Sequence, residues 1–151
     1  MSNMSNIQFL PSREQVTAVA RYCVNLVLHK ATNPKRSKVL SIFLNVRDAH
    51  VKKLTQSYPN WQKTLFIALT NDIFNDTRKN PKKVINFSYI IESAKKVNLP
   101  EGLFLPLHDV SITFAENGEI IVNEKRMSIE DMRFAHHQST VDRSISLRAR
   151  Y

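Results

Sequence analysis

The chain has a single cysteine, Cys23, among 151 residues. That excludes an internal disulfide and is the pattern expected of a reducing compartment. Glycine is almost absent: only Gly102 and Gly118 occur. A first hundred residues without glycine cannot hold a glycine-rich phosphate loop, and they favour helices. No apolar run approaches the roughly 18 residues a spanning helix needs, so no membrane partner is expected. The opening MSNMSNIQF has neither the basic region nor the apolar core of a secretory signal. The expected location is therefore intracellular, in the host cytoplasm if the source is viral. Zinc-finger spacing, an aromatic RNP-type motif and a persuasive recognition helix are also missing.

What is present fits one mixed domain over residues 1–151. Hydrophobic residues make up 42% of the chain, enough for a real core at this length. An N-terminal segment (1–11) precedes a helical region (12–100), followed by a hairpin, a short helix and a basic tail (101–151). The expected class is α+β, with about four amphipathic helices arranged as two helical hairpins.

Ser12 and Gln15 make a capping-box pattern, and Val16, Val19, Ala20, Cys23, Val24 and Val27 then recur at helical spacing over 12–30. Asn33-Pro34 opens a second helix, since Asn caps and Pro suits the first helical position. This helix runs to about residue 56, before Tyr58-Pro59-Asn60. A third runs from Trp61 to about Thr77, with Trp61, Leu65, Ala68, Leu69 and Ile73 on one face and Phe66, Ile67 and Phe74 beside it. Asn80-Pro81 repeats the opening signal, predicting a fourth helix that ends at Leu99-Pro100-Glu101-Gly102. The two Asn-Pro signals lie 47 residues apart, a spacing near that of HEAT-like helical repeats.

After Gly102 the pattern alternates. Val110, Ile112 and Phe114 share a face, Asn117-Gly118 follows, and Ile120-Ile121-Val122 returns. Asn-Gly between alternating runs predicts a β-hairpin, because both residues tolerate positive φ. Ser128 to Asp131 opens a short helix. In the tail, Ile145, Leu147, Ala149 and Tyr151 alternate with Ser144, Ser146, Arg148 and Arg150. This reads either as a third strand of the sheet or as a disordered basic arm.

The net charge is +9 and unevenly spread. Residues 1–60 carry nine Lys/Arg against Glu14 and Asp48, or +7; residues 61–100 carry seven against Asp72, Asp76 and Glu92, or +4. Residues 101–142 carry three against eight, or −5, and the last nine residues add three arginines. A basic front and tail around an acidic quarter suits a polyanionic partner.

The basic residues cluster at turns. Lys30, Lys35, Arg36 and Lys38 surround the first inter-helix turn, and Arg78, Lys79, Lys82 and Lys83 surround the third. Cations in the first turn of a helix oppose its dipole, yet together with exposed backbone N–H groups they make a phosphate site. Lys52-Lys53 and Lys95-Lys96 lie in the last turns of their helices, where the dipole accounts for them. Arg143, Arg148 and Arg150 extend the candidate set, with Tyr151 available to stack on a base.

The other candidates are weaker. His136 and His137 are neighbours on a helix, about 100° apart, and are poorly placed to chelate one ion. His108-Asp109 precedes a strand rather than joining helical metal ligands. Cys23 lies on an apolar stripe, as a buried thiol would. Glu116, Glu119 and Glu124 belong to the hairpin and keep one face soluble. No metal or cofactor is implied. The leading expectation is a non-enzymatic protein that binds DNA or RNA through phosphate contacts, such as an accessory or nucleoprotein-like factor of a virus or mobile element. The alternative is a protein-interaction or self-assembling module, a homo-oligomer included, built on the acidic hairpin region and a strand edge. An enzyme whose groups converge from distant positions is the third reading.

Overall fold

The computed structural model describes residues 10–28 and 38–132, and their side chains except those at 38–41, 43 and 44. Helix α1 spans Arg13–Leu28. Its capping box forms in full: the Ser12 N–H donates to Gln15 Oε1 at 2.8 Å, and the Gln15 N–H donates to Ser12 Oγ at 3.1 Å. The whole predicted stripe from Val16 to Val27 is buried. Helix α2 spans Lys38–Ser57; the expected start at Asn33-Pro34 and the first inter-helix turn lie outside the described residues. Because α2 reaches Ser57, Lys52 and Lys53 sit just ahead of its last turn rather than within it.

Helix α3 spans Trp61–Lys79. Trp61 is fully buried, and its indole N–H donates to Thr55 Oγ1 at 2.9 Å, which fixes the turn from α2 into α3. Leu65, Leu69 and Ile73 complete the buried face, while Ile67 is about half exposed. α3 packs most extensively on α1 and next on α4.

The second Asn-Pro does not open a helix. The Lys83 N–H donates to the Asn80 carbonyl at 3.0 Å, and the Lys82 N–H donates to Asn80 Oδ1 at 3.1 Å. Asn80-Pro81-Lys82-Lys83 is therefore a β-turn closed by the Asn side chain. Pro at the second turn position needs the same φ as Pro at the first helical position, so one dipeptide serves both structures. A two-residue strand β1, Ile85–Asn86, follows, and α4 spans Phe87–Lys96. Asn86 is its true cap, accepting from the Tyr89 N–H at 3.0 Å. The 47-residue correspondence ends at this point: α4 has 10 residues against 20 in α2.

α4 is closed off by Asn98, two residues past its end, whose φ is +61°. The Asn98 N–H reaches the Lys95 carbonyl and the Leu99 N–H reaches the Ala94 carbonyl, at 3.1 and 3.0 Å. This is a Schellman closure with asparagine where glycine is usual. It drops Leu99 into the core and leads into a 3₁₀ helix, Glu101–Leu107, where Leu99-Pro100-Glu101-Gly102 predicts only the end of a helix. Leu103, Phe104 and Leu107 of that helix are fully buried, and the helix packs on α1, α2 and α4.

The expected hairpin is present as β2, Ser111–Phe114, and β3, Ile120–Val122. Only Gly118 has positive φ at its tip, +85°. The connection is thus a turn over 115–118 with glycine in the left-handed position, not a two-residue turn with both residues left-handed. The two-residue kind occurs one step later: Asn123 and Glu124, with φ of +50° and +70°, turn the chain into β4, Lys125–Met127. The sheet is antiparallel throughout, in the order β1-β2-β3-β4. Ile85, Ile112 and Val122 align across three strands and are buried against the helices. A second capping box, between Ser128 and Asp131, opens the short helix as expected. The predicted tail strand lies outside the described residues. The fold is a helical core joined to a small antiparallel sheet, an α+β architecture.

Candidate nucleic-acid interface

Of the eleven expected contacts, the described residues hold five. Lys30, Lys35 and Arg36 lie outside them, as do Arg143, Arg148 and Arg150. Lys38 is the first residue of α2, with a side chain that is not described. The third-turn cluster is in view. Arg78 and Lys79 occupy the last turn of α3, because that helix runs two residues past Thr77. The dipole favours cations there, so for these two the expected conflict with the helix N-terminus does not arise. Lys82 and Lys83 occupy the β-turn before β1 rather than the first turn of a helix. All four are exposed.

Aromatic rings hold two of the four. The Arg78 guanidinium lies 4.2 Å from the centre of the Phe74 ring, and Lys83 Nζ lies 5.9 Å from that of Tyr89. Arg78 therefore turns to the α1 side of α3, and Lys83 to the α4 side. Two arginines outside the expected set join the first group. Arg13 lies over Phe74 at 4.9 Å, and Arg21 over Phe66 at 5.2 Å. The signal for this was present as matched spacing, Arg13 and Arg21 on α1 against Phe66 and Phe74 on α3, each pair eight residues apart. Spacing alone does not reveal it, because partner and direction are tertiary facts.

On the other side, α3 and α4 enclose a groove of about 530 Å³. Lys82, Lys83 and the first turn of α4 line it, together with Asp72 and Asp76. The aspartates are engaged. The Tyr89 hydroxyl donates to Asp76 Oδ2 at 2.5 Å; Ser93 Oγ and Lys96 Nζ donate to Asp72 Oδ2 at 2.7 and 3.3 Å. Burial, and then the Asp76 carboxylate beside it, push the Tyr89 hydroxyl well above the ordinary tyrosine range.

The cations divide into paired and unpaired. Lys95 meets Glu92, Lys96 meets Asp72 and Arg126 meets Glu119, at 3.6, 3.3 and 3.5 Å. Arg47 is almost fully buried, donates to the Val27 carbonyl at the end of α1 and pairs with Asp48. Desolvation pulls its pKa down, against the opposing effect of Asp48. Arg47 is a structural tie between α1 and α2 that sequence periodicity did not single out. Among the described residues, none of Arg13, Arg21, Arg78, Lys79, Lys82 and Lys83 is in an ion pair.

The remaining candidates find ordinary places. Cys23 is fully buried, and burial pushes its thiol up to about 12. His108 Nδ1 lies 2.9 Å from the Leu105 carbonyl, at the C-terminal end of the 3₁₀ helix. Among the described residues no three His, Cys, Asp or Glu side chains come together to hold a metal ion, and no helix is long and apolar enough to cross a membrane. His136 and His137 lie outside the described residues. A second groove of about 460 Å³, lined by Val46, Arg47, His50, Phe87 and Leu105, separates α2 from the 3₁₀ helix. No family model, curated protein or solved structure matches the chain.

Proposed function

We propose that the protein binds nucleic acid without catalysis, through the phosphate backbone. The observation that carries this reading is the stretch from Arg78 to Lys83. Four cations fall within six residues, all exposed and none in an ion pair among the described residues. Neutralised lysines and arginines contribute little to a polyanion's binding; unpaired ones release its condensed counterions directly. The first basic turn, with Lys35 and Arg36, and the tail arginines add to this charge in the reading. Base recognition is not part of it, so affinity follows phosphate charge rather than sequence. An accessory or nucleoprotein-like role in a virus or mobile element suits a small basic binder of this kind.

The test is binding of nuclease-treated protein to labelled nucleic acid across a salt series. K35A/R36A/K82A/K83A weakens binding and flattens its salt dependence. Unchanged binding by that variant rejects the two basic turns as the phosphate contacts, and no binding by the parent protein at low salt rejects the reading itself.

A second reading, self-assembly, draws on a different face. Ile42 and Val46 of α2 are 59% and 50% exposed beside the apolar groove at Leu105, a surface suited to a second copy of the chain. The strand edge fits less well, since β4 is three residues long with Lys125 and Arg126 exposed on it. Sedimentation at increasing concentration without nucleic acid separates the two: a constant monomer removes the assembly reading.

A further inference from the structure

α3 is electrically two-sided. Asp72 and Asp76 turn to α4, where Ser93, Lys96 and Tyr89 engage them. Phe66 and Phe74 pack against the core on the α1 side and carry arginines at its rim: Arg21 of α1 over Phe66, and Arg13 of α1 together with Arg78 of α3 itself over Phe74. α1 contributes one acidic residue, Glu14, against these. The pairing of 13 with 74 and of 21 with 66 makes the helices antiparallel, so the arginines follow a straight seam. Arg21 lies eight residues after Arg13 on the helix, a rise of about 12 Å.

A guanidinium laid on a ring has its face occupied and its N–H edge open. The ring restricts where such a group sits, and its fork matches phosphate oxygens. We infer that the α1/α3 seam is a phosphate-binding ridge for a nucleic-acid duplex, contacted by Arg13, Arg21 and Arg78; the inference rests on the nucleic-acid reading above. Two features favour a duplex. Single-strand binders offer ring faces to bases, whereas here the rings of Phe66 and Phe74 carry guanidinium groups. The seam's length of about 12 Å also spans about three to four nucleotides of one strand, at 3.4 Å per nucleotide along the duplex axis.

The experiment compares the full chain with R13Q/R21Q and K52Q/K53Q, using short DNA duplex, RNA duplex and single-stranded DNA over a salt series. Arg13 and Arg21 lie outside the basic turns, so the seam is tested apart from them. Each lost phosphate contact lowers the log-log salt slope by about 0.9. The expected result is a slope smaller by about 1.8 for R13Q/R21Q on a duplex, with K52Q/K53Q keeping the parental slope although it removes the same charge. R13K/R21K keeps both charges without the planar guanidinium fork; it is expected to keep the slope and bind more weakly. A preference for DNA or for RNA duplex identifies the partner. Parental binding with R13Q/R21Q unchanged overturns the seam and leaves the nucleic-acid reading standing. An equal loss in K52Q/K53Q overturns it in favour of diffuse charge, and single-strand binding as tight as duplex binding overturns the duplex assignment. A parent that binds nothing overturns both.

Discussion

Replacing Gln15 by alanine tests how the helical core is fastened to the sheet. The side chain is 6% exposed and makes two hydrogen bonds. Its Oε1 accepts from the Ser12 N–H at 2.8 Å, and its Nε2 donates to the Gly118 carbonyl at 2.6 Å, across 103 residues of sequence. Each bond contributes about 1 kcal/mol net. Alanine's better helix propensity returns about 0.4 kcal/mol. Q15A is therefore expected to lose about 1.5 kcal/mol, or about 3–6 °C in Tm for a chain of this size. S12A removes only the acceptor for the Gln15 N–H, at about 1 kcal/mol, and leaves the bond to Gly118 intact. Urea unfolding measures both losses. Hydrogen exchange distinguishes them, because only Q15A should speed exchange of the Gly118 N–H, which is bonded to the Ala115 carbonyl. A loss below about 0.5 kcal/mol, or the same exchange pattern in both variants, would refute the idea that Gln15 joins α1 to the hairpin.

Three further outcomes follow from single residues. G118A should cost about 1–2 kcal/mol from the left-handed backbone at φ +85°, although a Cβ there meets nothing within 4 Å. G102A, equally open and without positive φ, should be neutral or slightly stabilising; similar unfolding midpoints for the two would contradict this. Cys23, fully buried with its thiol raised to about 12, should resist a thiol reagent in the native protein and react once unfolded. Fast native labelling would show the core to be open at α1. Tyr89 has a folded-state pKa above its ordinary value of about 10. The native state therefore keeps a proton that the unfolded chain gives up, and stability falls as pH rises above about 10. Y89F should lack that component of the fall, and an identical alkaline profile would remove Tyr89 as its source.

The parts of the fold that were legible in the sequence rest on local chemistry. Ser12 with Gln15, the stripe from Val16 to Val27, and Asn117-Gly118 each carry their own reason for the structure they adopt, and each leads to a helix start, a buried face or a hairpin. Asn80-Pro81 misled because a helix start and a β-turn ask the same of both residues. What decides between them is Ile85, which is buried opposite Ile112 on a strand far along the chain. β4 had no alternating apolar signal, and Glu124 is not a residue that announces a left-handed turn. The 3₁₀ helix was hidden by Pro100 and Gly102, which read as breakers, although Leu103, Phe104 and Leu107 supplied its buried face. At the candidate site, the clusters close in sequence were visible. The seam of Arg13, Arg21 and Arg78 was not, because it exists only once α1 lies antiparallel to α3.

The most direct test of the central claim is the salt dependence of duplex binding by the nuclease-treated, full-length protein. A log-log slope implying several released counterions, falling in R13Q/R21Q and in K35A/R36A/K82A/K83A but not in K52Q/K53Q, is the predicted result. No binding at low salt, or a slope indifferent to every one of these changes, would contradict it.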